Sequence, residues 1–293
     1  MMESLEESGF VIANLCRVLG ISRNAYYAQK KNSMAKAKDD ETILNEIGSI
    51  IIDFPRYGYR RIAKELKIRK FKVNRKRVLR IMRENDLLVR TKKKFHPTTD
   101  SNHGFTIYPN LLGEMKERGT EITVINQVWV SDITYIPLTT GRFVFLAVVL
   151  DLYSRKVVGW NLGTNLSTDL VVSALQMAIQ RRKPPAGLIH HSDRGVQYAS
   201  REYTEILIDN NFQISMSRKG NPYDNAFCES FMKTFKWEEV DLNEYDSYEE
   251  AKLRVENFIE KIYNAKRLHS SLNYRSPEQF ETELFNLQIT VPI

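Results

Sequence analysis

The sequence is poor in several features that would settle its class at once. Only two of its 293 residues are cysteine, Cys16 and Cys228, and they stand far apart, in neither C-x-x-C nor C-x-x-H spacing. That argues against a disulfide framework and against a zinc site, and makes a reducing cytoplasm the expected location. The opening segment MMESLEESGF carries three glutamates where a signal peptide needs a basic start and an apolar run. Long hydrophobic runs are missing too: FVFLAVVL, residues 143–150, is the longest and is too short to cross a bilayer. No membrane partner is expected. There is no internal repeat and no long heptad segment.

What is present is an ordinary globular composition, 42% apolar and 27% charged, with the charge unevenly spread. The net charge of +7 divides into +11 over residues 1–120 and −4 over residues 121–293. Within residues 56–94, 17 lysines and arginines face three acids, Glu65, Glu84 and Asp86. A density of that kind favours a polyanion as partner, the plain alternative being a solvated helix face.

Residues 11–29, VIANLCRVLGISRNAYYAQ, read as a helix, a turn at Gly20 and a second helix capped by Ser22, in helix-turn-helix order. A polar stretch, KKNSMAKAKDD, separates them from a helix predicted over about 41–54 and stopped by Pro55. YGYRRIAKELKI and VNRKRVLRIMREN make a second, more basic helix-turn-helix candidate. Asn74 is its plausible N-cap, Val78, Ile81 and Met82 share one face, and Arg75, Lys76, Arg77, Arg80 and Arg83 surround it. Arg75, Lys76, Arg77 and Arg80 are the expected phosphate contacts.

Residues 91–125 have little periodicity and read as a linker. Beyond them come short strands, QVWVSDITYIPL, FVFLAVVLDL and KVVGWNLG, with a hairpin at TTGR. A helix over 168–182, a strand LIHHSD, a helix over 202–209 and a strand FQISMS then alternate. This order predicts an α/β fold with a mixed sheet. The expected division is a first helix-turn-helix candidate (1–40), a basic helix-turn-helix-like domain (41–90), the linker (91–125), a core (126–240), and a C-terminal helix and tail (241–293).

Three carboxylates stand out by context. Asp132 sits inside the apolar run NQVWVSDITYIPL, where a charge is costly unless it is paired or coordinated. Asp193 follows an apolar strand in IHHSDRG, the position at which open α/β sheets place their sites. Glu229 lies on a helix begun by a Gly-Asn-Pro turn, with Asn225, Glu229, Lys233 and Lys236 on one stripe and Phe227, Phe231 and Phe235 roughly opposite. Taken singly, each acid reads as a surface residue. If they converge, their repulsion needs cations, and hard oxygen donors select Mg²⁺ or, as a substitute, Mn²⁺. The natural chemistry is phosphoryl transfer with two metal ions.

WVSDITY, HHSDRGVQYAS and GNPYDNAFCESFMKTFK, with 35 residues between Asp193 and Glu229, closely resemble the DDE transposases of bacterial insertion sequences, specifically the downstream-frame product of the two-frame family. The likeness covers roughly residues 15–290, including YGYRRIAKEL and the tail YNAKRLHSSLNYRSPEQF. It implies a ribonuclease H-like catalytic domain related to retroviral integrases, preceded by an all-α helix-turn-helix DNA-binding region. It further implies that Asp132, Asp193 and Glu229 are catalytic and bind two Mg²⁺, and that Lys233 and Lys236 approach the transposon end. The implied substrate is double-stranded DNA, both element ends and target, handled by a homodimer or higher assembly at the bacterial nucleoid through a copy-out, paste-in route. In that family the active enzyme is typically a frameshift fusion with an upstream helix-turn-helix and leucine zipper, so an upstream-frame product is a further expected partner.

Weaker candidates remain. His190 and His191 lie where they would touch a second shell or a phosphate, or serve only the strand end. Asp224 and Asn225 are expected to cap the Glu229 helix. Cys228 and Trp129 are expected to pack, and Arg267 and His269 match a tail motif without a derivable role. Two rival readings are a DNA-binding regulator with an inert integrase-like core, and a ribonuclease H-like nuclease without strand transfer.

Overall fold

The computed structural model describes residues 11–89, 106–218 and 225–290. Contacts divide the chain into two compact units, residues 1–91 and 92–293.

In the first unit, α1 (Ile12–Val18) ends in a turn at Gly20, whose φ of +66° lies in the left-handed region that glycine enters without steric cost. Ser22 Oγ then accepts a hydrogen bond from the Ala25 N–H at 3.1 Å and starts α2 (Arg23–Asp53). The first helix pair therefore forms as the sequence predicts. The second expectation fails: α2 runs 31 residues without a break, where a separate helix was predicted from 41 onward. No glycine or proline interrupts residues 23–47, and the alanines, lysines and methionine there are good helix formers. Polarity in that stretch means only that residues 31–39 face solvent. Two further helices, α3 (Tyr59–Ile68) and α4 (Arg75–Glu84), pack against α2. They bury Ile62, Leu66, Val78, Ile81 and Met82, while α2 contributes Ile43, Ile47 and Ile50. Asn74 caps α4 as expected, its Oδ1 accepting from the Arg77 N–H at 2.9 Å.

The second unit is built on five strands, β1 (Val128–Pro137), β2 (Phe143–Asp151), β3 (Val157–Gly163), β4 (Ile189–Ser192) and β5 (Gln213–Met216), in the order β3-β2-β1-β4-β5. The first three are antiparallel, β4 runs parallel to β1, and β5 parallel to β4. This is the mixed sheet that the sequence predicts. Successive residues of β1 alternate between two cores, as the two-residue period of a strand requires. Val128 and Val130 join Phe231, Phe235 and Phe258 of α9 (Ala226–Glu238) and the segment after α10 (Tyr248–Glu256). Trp129 faces the other way, into a core with Leu175 of α6 (Thr168–Arg182) and Tyr203 and Leu207 of α8 (Arg201–Asp209). One short helix, α7 (Val196–Ala199), joins β4 to α8. At Gly159 on β3 a Cβ would stand 2.2 Å from the Ala174 carbonyl oxygen, so only glycine lets α6 pack this close.

Residues 106–125, predicted as part of the linker, belong to this fold. Asn110 caps α5 (Leu111–Glu117) through the Gly113 N–H at 2.8 Å, Leu112 is buried in the first core, and the Met216 N–H donates to the Pro109 carbonyl. A seven-residue helix is too short to show periodicity, which is why the sequence hid it. The rest of the predicted linker lies outside the described residues. Residues 241–293 are more than a helix and a tail. Beyond α10 the chain continues as a π-helical stretch to Asn264, whose side-chain amide bonds both the N–H and the carbonyl of Val157 at 3.0 Å, and α11 (Pro277–Thr290) follows. Among the described residues no helix is long and apolar enough to cross a membrane.

Candidate active site

The β1–β4 pairing stops at Val130 opposite His191, and from there the two strands part. Their connections also leave in opposite directions across the sheet, since β1 continues to β2 on one side and β4 to β5 on the other. Ligands of open α/β sheets bind at such a parting of neighbouring strands. Asp132 lies two residues past Val130, half-buried, with Oδ1 accepting from the Ile133 N–H at 2.9 Å. Asp193 follows the last residue of β4, and its Oδ1 accepts from the Gly195 N–H at 2.9 Å. Asp132 and Asp193 line one cleft, together with Tyr198 and Gln197.

Glu229 comes from α9, which packs on the β1 face toward which Asp132 points by strand parity. Its Oε2 meets Lys233 Nζ at 3.2 Å, one turn along the helix. Phe231 and Phe235 are fully buried on the opposite side, as the stripe pattern predicts. Lys236 is half-buried, with Nζ 4.1 Å over the Tyr135 ring, and burial draws its pKa down despite the pull of Asp241 and Asp132. Asp132 shows the electrostatics of the site. Burial, then the charge of Asp193, push its pKa up to about 7; the Ile133 N–H opposes this, Glu229 adds to it, and Lys236 relieves it slightly. Asp193 and Glu229 thus both act on Asp132. Among the described residues, no three acid, histidine or cysteine side chains stand close enough together to form a ready metal cluster.

The supporting residues differ from expectation in several places. His190 and His191 are buried in hydroxyl networks. Nε2 of His190 lies 2.9 Å from Ser131 Oγ and 3.0 Å from the Tyr203 hydroxyl, and His191 sits between Ser215 and Ser217 at 2.8 and 3.0 Å. Burial, with His191 alongside, takes the His190 pKa down to about 3, so that ring stays neutral and structural. Asn225 stands at the N-cap position of α9 but makes no side-chain cap bond; its Nδ2 reaches the Ser131 carbonyl at 3.4 Å and so ties the helix start to β1. Asp224 lies outside the described residues. Cys228 and Trp129 pack, fully buried. Arg267 gains a role that its motif did not reveal: almost fully buried, it forms a two-pronged ion pair with Glu238 at 2.6 and 2.7 Å, clamping the end of the Glu229 helix, with His269 beside it at 3.4 Å.

Sequence reasoning missed Tyr198. Its hydroxyl is buried at the cleft with no hydrogen-bond partner among the described residues, and burial, next to Tyr203, Asp132 and Asp193, raises its pKa well above the ordinary phenol value. The only available signal was its place five residues after Asp193. In the basic unit the four expected phosphate contacts divide. Arg75 and Lys76 are exposed, without an ion pair among the described residues. Arg77 and Arg80 are instead held by Asp40 at 2.6 and 2.5 Å, with Asp39 and Glu84 adding bonds of 2.7 Å.

Comparison with known proteins gives the family. Residues 38–95 match the family described as an HTH-like domain, and residues 124–222 and 210–277 match two families described as an integrase core domain. An insertion element IS600 protein of 31 kDa from Shigella sonnei is 39% identical over 91% of this chain and 97% of its own length. The transposase InsF of insertion sequence IS3A from Escherichia coli is 36% identical over 94% and 96%, and the transposase of element IS904 from Lactococcus lactis is 38% identical over 77% and 87%. Among solved structures, the catalytic core of HTLV-2 integrase in complex with magnesium aligns at 16% identity over 55% of this chain and 99% of that one, with a TM-score of 0.43. Matched nearly end to end by such relatives, the chain belongs to the IS3-type insertion-sequence transposases, polynucleotidyl transferases that cleave and join DNA with an integrase core domain preceded by a helical HTH-like region.

Proposed function

We propose that Asp132, Asp193 and Glu229 are the catalytic triad of this transposase and hold two divalent cations, Mg²⁺ or in its place Mn²⁺. The carrying observation is that Asp132 and Asp193 line one cleft and that burial, then the charge of Asp193 and, more weakly, that of Glu229 on the helix packed against β1, push the Asp132 pKa up to about 7. The donor set fits hard divalent ions, because all three side chains offer carboxylate oxygens and their mutual repulsion is what such ions relieve. When bound, the two ions supply activation of the attacking oxygen and stabilisation of the leaving one.

The residues themselves prepare the site. Ile133 and Gly195 N–H groups each fix one carboxylate oxygen, Oδ1 of Asp132 and Oδ1 of Asp193. With the ions bound, Glu229 would help hold them, and Lys233, now its partner at 3.2 Å, would be available to a DNA phosphate. Lys236, braced on Tyr135, lies on the same stripe and contacts the element end. Two in-line displacements follow: water attacks the phosphorus at the element end and releases a 3′-hydroxyl, which then attacks a second phosphodiester, breaking its P–O3′ bond and expelling that strand's 3′-hydroxyl. A covalent intermediate on Cys228 or Tyr198 is disfavoured, since both are buried and their pKa values raised, which keeps both protonated. Joining two ends requires both at once, so the working form is a dimer or higher assembly on DNA, acting at the bacterial nucleoid with an upstream-frame product.

The test is incubation with end-bearing DNA and Mg²⁺. The wild type is expected to nick and join, while Asp132→Asn, Asp193→Asn and Glu229→Gln bind DNA but do neither. Turnover in any one variant would remove that residue from the triad, and nicking without joining by the wild type would favour a plain nuclease.

A further inference from the structure

The turn between β2 and β3 carries an arginine in an unusual setting. Asp151 organises this turn, its Oδ1 accepting from the Tyr153 and Ser154 N–H groups at 3.0 and 2.8 Å. Arg155 then adopts a φ of +61°, a left-handed conformation that favours glycine or asparagine and costs a residue with a Cβ. Its guanidinium is half-buried 4.3 Å over the Phe227 ring, on the first turn of α9, and makes no hydrogen bond or ion pair among the described residues. Lys116 of α5 approaches the same ring at 5.4 Å. Both cations line a cavity that also holds the side chains of Tyr153 and Ser271 and an apolar floor that includes Leu112 and Leu272. One acid, Glu121, stands at its exposed rim.

A left-handed backbone position held by an arginine whose guanidinium makes no hydrogen bond or ion pair among the described residues, and on which the Asp151 carboxylate acts only through space, calls for a ligand, because a stacked guanidinium is a bidentate receptor for a phosphate. We propose that this cavity is a phosphate-ester site, occupied by a backbone phosphate of the bound DNA and distinct from the carboxylate cleft. Arg155 grips the phosphate oxygens, Lys116 adds the second charge, and Phe227 fixes the guanidinium plane. The DNA strand held there would lie against the start of the helix that carries Glu229, so the site is placed to register DNA along α9. The inference does not rest on the triad assignment, and its test needs no catalysis.

The informative variant is Arg155→Gly, which removes the guanidinium while suiting the left-handed backbone, so the fold is not expected to suffer. Duplex binding by the full chain is measured by fluorescence anisotropy across a salt series without divalent metal, for wild type, Arg155→Gly and Lys116→Ala. Each variant is expected to lose affinity several-fold and to lower the salt slope by about 0.9, the value for one phosphate contact, with the melting temperature of Arg155→Gly equal to or above that of the wild type. An unchanged affinity and slope in Arg155→Gly overturns the proposal, as does a fall in melting temperature that alone accounts for the lost binding. Competition with the mononucleotide dTMP separates the two sources of phosphate: failure to displace duplex at millimolar concentration supports the strand as occupant. Displacement by dTMP with an unchanged slope in Arg155→Gly assigns the cavity to free nucleotides and overturns the DNA reading.

Discussion

The basic helical unit and the carboxylate cleft treat charge in opposite ways. In the first, the sequence shows a large surplus of one sign, yet the fold neutralises part of it: Arg77 and Arg80 close on Asp40, and Arg69 on Glu46 and Asp53. Burial tends to raise the Asp40 pKa, but the Arg80 and Arg77 hydrogen bonds outweigh it and hold the carboxyl below its ordinary value. In the second, the overall charge is unremarkable, yet Asp132 is buried with the charges of Asp193 and Glu229 acting on it and is pushed up to about 7. Charge density in a sequence therefore does not locate a site. The site is where the fold leaves charge uncompensated, and it is there that an external partner is required.

The contrast is broken most severely at the triad. Replacing Asp132 or Asp193 by Asn, or Glu229 by Gln, is expected to lower strand cleavage by about a thousandfold or more, since charge stabilisation of a displacement at phosphorus is lost. Double variants are expected to be scarcely worse than single ones if the proposed triad acts as a unit. Single-turnover cleavage of an end-bearing duplex reads both.

A second effect is in stability, and it differs in sign between the two regions. An acid whose folded pKa is raised, as at Asp132, binds protons more tightly when folded, so its ionisation destabilises the metal-free protein as pH rises from about 4 through 7. Asp40, with a lowered pKa, does the reverse: its stabilisation is present above the ordinary carboxylate pKa and lost on acidification. Asp132→Asn is therefore expected to stabilise the metal-free protein at pH 7.5 by an amount on the order of a kcal/mol and to flatten its melting profile between pH 4 and 7. Asp40→Asn is expected to cost about 1 kcal/mol at neutral pH by leaving Arg77 and Arg80 facing each other. Melting followed separately for the two units checks both, and equal pH profiles in wild type and Asp132→Asn would contradict the electrostatic account.

The smallest expected difference concerns DNA affinity. Arg75→Ala and Lys76→Ala, at exposed positions, are each expected to lower the salt slope by about 0.9 with the fold unchanged. Arg77→Ala, at a position engaged with Asp39 and Asp40, is expected to lower stability more than slope. Equal slope changes at all three positions would mean that DNA competes successfully with Asp40.

Much of this was legible in the sequence because short local signals suffice for it. Asp132 inside a β-branched run, Asp193 after an apolar strand and the Glu229 stripe opposite three phenylalanines each follow from a two- or 3.6-residue period. What stayed hidden depends on contacts distant in sequence. The continuity of α2 was masked because polarity was read as an interruption, and α5 was too short to leave a period. The pairing of Arg77 with Asp40 spans 37 residues and that of Arg267 with Glu238 spans 29, separations at which no local pattern speaks. Asn225 was misjudged for a related reason: its position invites a cap, but its amide is drawn to the Ser131 carbonyl 94 residues away.

The central claim, that Asp132, Asp193 and Glu229 together await divalent cations, is tested most directly by counting bound Mn²⁺ in the DNA complex by electron paramagnetic resonance at pH 7.5. Two ions are expected for the wild type, with at least one lost in Asp132→Asn, in Asp193→Asn and in Glu229→Gln while DNA stays bound. The same number of ions with the same affinity in all four proteins would contradict the account.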